Sequence, residues 1–119
     1  MKHAIVCGLL APTCSGNARS IWNSYFSRHQ YDAFFDFYRC TGREDLTLRL
    51  SEMFLLNRRG YIVDKVFQEE IVPLLDVLEP SALRAGRVDS ILNNEGVLHG
   101  AYIDDQSPEM RVQFWRFDT

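Results

Sequence analysis

The stretch from Gly60 to Asp104, GYIVDKVFQEEIVPLLDVLEPSALRAGRVDSILNNEGVLHGAYID, decides how the rest of the chain is read. Tyr61 to Val63 is a short apolar run behind a glycine, which predicts a strand. Ile71, Leu74, Leu75 and Leu78 recur at i, i+3, i+4 and i+7, the spacing of one helical stripe, and predict a helix. Pro80 and Gly86 then bracket a second, short helix. A first-turn residue needs no backbone donor, and a residue just past a helix end takes the left-handed conformation that glycine tolerates. Val88 to Leu92 and Val97 to Ile103 read as two strands. The Asn93-Asn94-Glu95-Gly96 link between them has the chemistry of a tight antiparallel hairpin turn.

Laid without a gap on a pattern of the form G-F-N-V-T-x-P-x-K, a helix ending in Asp, A-x-x-x-G-A-V-N-T-V, an Asn/Asp-Gly turn and L-x-G-x-N-T-D, the stretch matches at many points. Gly60, Val63, Pro73, Asp76, Pro80, Ala82, Gly86 and Val88 fall into register, as do Ser90, Gly96, Leu98, Gly100 and Asp104. In this it resembles the substrate-binding, N-terminal domain of the shikimate dehydrogenases. The resemblance implies a three-layer α/β/α domain with a mostly parallel, mixed sheet. It also implies a ligand cleft, in which the substrate-binding Thr position is Asp64, the catalytic Lys position is Gln68 and the substrate-binding Asn position is Asp89. The Asn of N-T-D is Tyr102, and only the last acid, Asp104, is kept. Asp64, Gln68, Asp89 and Asp104 are therefore the candidate substrate-binding residues, and no catalytic residue is assigned. The family shares its proton traffic between that Lys and that Asp, and glutamine holds no transferable proton near neutral pH.

A chain of 119 residues with 46% hydrophobic content makes one domain with a real core. The expected organisation is a core over residues 1–104 and a strand-like tail over 105–119, with no room for a nucleotide-binding domain. No G-x-G-x-x-G follows a strand, so no cofactor is expected. The formal net charge is -3, and no cluster of Lys or Arg marks a nucleic-acid footprint. The first apolar run, Ala4 to Ala11, is too short to span a bilayer and lacks a signal-peptide core, which predicts no membrane association and a cytoplasmic location. Cys7, Cys14 and Cys40 match no zinc spacing and are odd in number. Reduced thiols, at least two of them buried in strands, are the expectation.

Upstream, His3 to Leu10 is a β-rich run broken by Pro12, Ser15 and Gly16. The resembled enzymes carry an S-x-S pair in this loop, gripping the substrate carboxylate, and then a helix with H-N-x-x-F. Asn23 and Phe26 fit that helix. Counting back from Asn23 puts Gly16 and Ala18 at the serine positions, with Ser15 or Asn17 as substitutes. The helix is expected from about Asn17 to Arg28, with Ile21, Trp22, Tyr25 and Phe26 on one face, so the two aromatics read as core rather than as a stacking platform. Ala33 to Cys40 is the next strand. A helix follows from about Glu44 to Asn57 on a stripe of Leu46, Leu50, Met53, Phe54 and Asn57. Arg58 and Arg59 are read as its solvated C-terminal cap.

Beyond Asp105, Gln106-Ser107-Pro108 predicts a turn, and Met110, Val112 and Phe114 alternate with Arg111 and Gln113 as in a strand. Such an edge, with Trp115 and Phe117 beside it, predicts a homodimer built through the tail. Asp64, Asp89 and Asp104 are expected to converge at strand ends, where open α/β sheets bind ligands. Lys65 and Arg87, each offset by one, are expected on the opposite face. The leading reading is a non-catalytic domain that binds a small polyhydroxylated or cationic molecule. The alternatives are an interaction and oligomerisation module with a vestigial cleft, and an enzyme of changed chemistry holding a divalent metal on the three acids.

Overall fold

A computed structural model describes residues 4–14, 16–105 and 107–118. Expectations placed on His3, Ser15 and Gln106 lie outside these residues. The first half alternates as the sequence predicts: β1 (Ile5–Ala11), α1 (Ala18–Arg28), β2 (Ala33–Arg39), α2 (Arg43–Leu55) and β3 (Arg58–Val63). The second half holds β4 (Val77–Leu78), α3 (Pro80–Ala85), β5 (Ser90–Asn94), β6 (Val97–Ala101) and α4 (Pro108–Phe114). The six strands form one sheet in the order β2-β1-β3-β5-β6-β4. β1 runs parallel to β2 and β3, and β4 runs parallel to β6. β5 is antiparallel to both β3 and β6. The sheet is mixed and mostly parallel, with the hairpin supplying the reversed strand.

Strand alternation sorts side chains into two cores, one on each face. Cys7, Leu92, Phe35 and Ile62 face α1 and α4, where Trp22, Tyr25, Phe26, Val112, Trp115 and Phe117 pack. Leu10, Tyr61, Val63 and Ile91 face the other way, onto Leu46, Leu50 and Met53 of α2, Ala82 of α3 and the segment between β3 and β4. The three-layer α/β/α architecture follows. The expectation that Trp22 and Tyr25 are core residues holds, whereas Ile21, expected beside them, is half exposed. Cys7 and Cys40 are buried, Cys14 is exposed, and all three are free thiols.

Three local expectations are corrected. The stripe of Ile71, Leu74, Leu75 and Leu78 is not an α-helix; two 3-10 turns, Lys65–Phe67 and Val72–Leu74, are followed by β4. Pro73 offers no N–H, and the N–H groups of Val72, Leu74 and Leu75 donate to carbonyls three residues back, the tighter 3-10 pattern. Asp76 N–H then donates to Leu98 and Glu79 N–H to Gly100, which draws the chain onto β6 as a strand.

Arg58 and Arg59 do not cap α2, which ends at Leu55; after a left-handed Asn57 (φ 52°) they open β3. Arg58 is buried over the Tyr38 ring, 3.9 Å from its centroid, and donates to Glu52 at 2.8 Å and to the Tyr61 hydroxyl at 3.0 Å. Arg59 donates to the carbonyls of Trp115 and Arg116, so it caps the C-terminus of a different helix, α4.

The tail is that helix, not a strand. Pro108 sits in its first turn behind Ser107, and Arg111, Val112 and Trp115 turn inward at i, i+1 and i+4. Trp115 lies against Gly60, where a Cβ would stand 2.1 Å from its Nε1, and that N–H donates to Ile91 O at 3.0 Å. The self-pairing strand expected at the tail is thus replaced by a helix that covers the chain's own sheet.

Candidate functional site

The chain turns away from the sheet at the C-terminal end of β3 and at the start of β5, and a cavity of about 530 Å³ opens there. All four sequence-predicted site residues, Asp64, Gln68, Asp89 and Asp104, line it. With β5 antiparallel to β3 and β6, the C-terminal ends of β3 and β6 and the start of β5 share one edge of the sheet, the edge at which open α/β sheets bind ligands.

Each of the four is held by a local reason. Asp64 is the N-cap of the first 3-10 turn, accepting from Val66 N–H at 3.2 Å, while its own N–H donates to Leu10 O. The Gln68 side-chain amide donates to Val63 O at 3.0 Å, and Gln68 O accepts from Val88 N–H, which ties the turn to the approach of β5. Asp104 takes a left-handed backbone (φ 53°) just beyond β6 and stands exposed at the cavity mouth.

Asp89 is different. Its carboxylate accepts the N–H groups of Ile103 and Asp104, each at 2.8 Å, and the Ser90 hydroxyl at 3.0 Å. Arg111 reaches it from α4, with Nη2 at 3.4 Å from Oδ2 and both side chains 6% exposed. The Arg111 Nε donates to Ser90 Oγ at 2.9 Å, and its Nη1 donates to Asp105 O. Burial lowers the Arg111 pKa from its usual value, against the opposing pull of Asp89 and Asp105.

Several wall residues were not assigned to the cleft from sequence. Lys65 and Arg87 line the same cavity as the acids beside them, contrary to the opposite-face expectation. Strict alternation holds within a strand, but Lys65 is in a 3-10 turn and Arg87 is in the loop before β5. Arg87 lies over the Tyr102 ring, 4.6 Å from its centroid. Partial burial, then the Asp104 carboxylate nearby, raises the Tyr102 pKa, with the Arg87 charge opposing. Trp22 is both core and cavity wall. Arg111 was legible in principle: a proline behind a serine, then Arg111, Val112 and Trp115 at helical spacing, marks a helix that carries the arginine inward.

Among the described residues, no group of three or more His, Cys, Asp or Glu side chains is placed to hold a metal ion. No helix among them is long and apolar enough to cross a membrane.

No protein-family model matches the chain. It is similar to the shikimate dehydrogenase (NADP+) of Syntrophomonas wolfei, 45% identical over 49 residues, which cover 41% of this chain and 17% of that protein. It is similar also to the shikimate dehydrogenase (NADP+) of Desulforamulus reducens, 36% identical over 61 residues, covering 51% of this chain and 21% of that protein. Among solved structures, shikimate dehydrogenase 1 of Peptoclostridium difficile superposes with a TM-score of 0.78 at 26% identity, over 84% of this chain and 38% of that one. The matched segments span only about a fifth of the curated relatives, while the fold likeness takes in most of the present chain.

Proposed function

We propose that this shikimate-dehydrogenase-like α/β domain binds a small polyhydroxylated molecule in the cavity beyond β3 and β5, and that its own residues do not transfer hydride. The observation that carries the reading is the meeting of Asp64, Gln68 and Asp104 around one open cavity at strand ends. Carboxylate oxygens and a carboxamide suit hydroxyl groups, which need both acceptors and donors. Of the two ligand classes expected from sequence, the cationic one loses support because Asp89, the most buried acid, is already taken up by Arg111 and two backbone N–H groups. Gln68 stands where a proton-transferring lysine is expected, and its amide can position a hydroxyl but cannot exchange a proton with it near neutral pH.

Backbone amide NMR with added shikimate tests the proposal. The amides of Asp64, Gln68 and Asp104 are expected to shift together along one saturable curve, and Gln68→Ala to weaken binding. Spectra unchanged at saturating millimolar shikimate and at equal concentrations of an uncharged polyol would overturn the reading.

A further inference from the structure

The cavity carries more charged groups than a neutral polyol needs: one acid–base pair that neutralises itself, three further carboxylates that keep their charge, and two cations without a paired carboxylate. Four acids line it, Asp64, Asp89, Asp104 and Asp105, together with three cations, Lys65, Arg87 and Arg111. Asp89 and Arg111 neutralise each other. Asp64 accepts the N–H of Val66 and Asp105 accepts that of Ser107 at 2.7 Å, which satisfies an oxygen of each without removing its charge. Lys65 and Arg87 have no carboxylate within ion-pairing distance among the described residues. Arg87 is steadied by the Tyr102 ring, a contact that fixes a guanidinium without neutralising it.

We infer that Lys65 and Arg87 form an anion clamp at the rim of this cavity and that the occupant is a polyol carrying a phosphate group. The inference rests on the small-polyol reading above and names what that polyol bears. Two cations match the charge of a phosphate monoester, about -1.5 to -2 at neutral pH, whereas a carboxylate neutralises only one of them. The guanidinium supplies paired donors to phosphate oxygens and the ammonium supplies a point charge. Asp64, Gln68 and Asp104 are left for the hydroxyls, from which carboxylate and carboxamide oxygens accept.

Binding of sorbitol 6-phosphate, sorbitol and inorganic phosphate, followed by backbone amide NMR on the intact chain at low salt, tests this. Sorbitol 6-phosphate is expected to bind at least about tenfold more tightly than sorbitol, about 1.4 kcal/mol, with the preference shrinking as salt is added. Inorganic phosphate is expected to compete with it. Lys65→Gln and Arg87→Gln should each cut the ratio of the two affinities severalfold, and the double variant should bring it near one. Neither residue is in an ion pair, so Lys65→Gln is expected to melt with the parent and Arg87→Gln, which gives up only the Tyr102 ring contact, close to it. Equal affinity of the parent for sorbitol and its phosphate overturns the clamp and leaves the polyol reading standing. An undiminished ratio in the double variant assigns the preference elsewhere and also overturns it. Silence of all three probes overturns the clamp and the polyol reading together.

Discussion

Removing the Asp89 carboxylate strips acceptors from the N–H groups of Ile103 and Asp104 and leaves the Arg111 guanidinium buried without its anion. Breaking one side of a buried pair costs about 3–5 kcal/mol, so Asp89→Ala is expected to lower the unfolding free energy by that amount in urea titrations. Arg111→Met in the same background should restore part of it, because the unpaired charge is then gone; a double variant as unstable as the sum of the two singles would disprove the pairing account. A second charged cluster sets an acid limit. Burial alone would raise the Glu52 pKa, but hydrogen bonds from Arg49 and Arg58, with their charges, outweigh it and the net shift is downward from 4.5. A depressed folded pKa gives stability that is fully present above the unfolded value and is lost as pH falls through the folded one. Stability should therefore fall below about pH 4.5, and Glu52→Gln should flatten that limb of a stability–pH curve relative to the parent. An unchanged acid limb in the variant would remove Glu52 from the account. At this scale the convergence of Asp64, Asp89 and Asp104 was legible, with Gln68 beside them, because the resemblance sets each at a matched position near a strand end. The structural role of Asp89 was not, since its partner Arg111 lies on an element whose type was misread.

The Ile71–Leu78 stripe and the tail were misread for different reasons. Apolar residues at i, i+3, i+4 and i+7 describe a helix only if the backbone makes the i to i-4 ladder, and here Val72, Leu74 and Leu75 donate three residues back instead, after which Asp76 and Glu79 donate to β6. In the tail, a short window let Met110, Val112 and Phe114 pass for a strand, although Val112 with Trp115 and Arg111 with Trp115 fit helical spacing equally well. What decided between them was tertiary: Gly60 leaves a bare patch of backbone on β3, and the Trp115 indole fills it while donating to Ile91 O. By contrast the first βα units and the Pro80–Gly86 helix were read closely, because each carries its own stop signals, down to Gly86 at φ 71°. The tail helix should thus be part of the cooperative fold. Trp115→Ala is expected to cost about 3–5 kcal/mol by leaving a cavity, and Gly60→Ala to be destabilising for the opposite reason, since its methyl would occupy the indole's place. Chemical unfolding followed by circular dichroism measures both. A Trp115→Ala variant within about 0.5 kcal/mol of the parent would mean that the tail is not part of the core.

The molecule as a whole sets one face of its sheet under α1 and α4 and the other under α2 and α3, and leaves the ends of β3 and β5 open. An open cavity of this kind can admit a small molecule but does not by itself oxidise one. Hydride transfer requires an acceptor cofactor held against the substrate carbon, and the matched segments take in only 17% and 21% of the NADP-dependent relatives. It also requires a base for the hydroxyl proton. Gln68 has its amide nitrogen engaged by Val63 O and has no ionisable proton, and Asp104 at the cavity mouth has no lysine partner at that position. The 119-residue chain is accordingly expected to show no growth of the reduced-nicotinamide absorbance band with shikimate and NADP+, above a heat-inactivated control. Gln68→Lys should leave that result unchanged, although a lysine there can donate to Val63 O as the glutamine does, because a restored base without a bound acceptor still has nowhere to send the hydride. Turnover by the parent chain would refute the non-catalytic reading outright. Turnover that appears only in Gln68→Lys would show that the acceptor can bind this domain alone and that the missing proton carrier was the sole barrier.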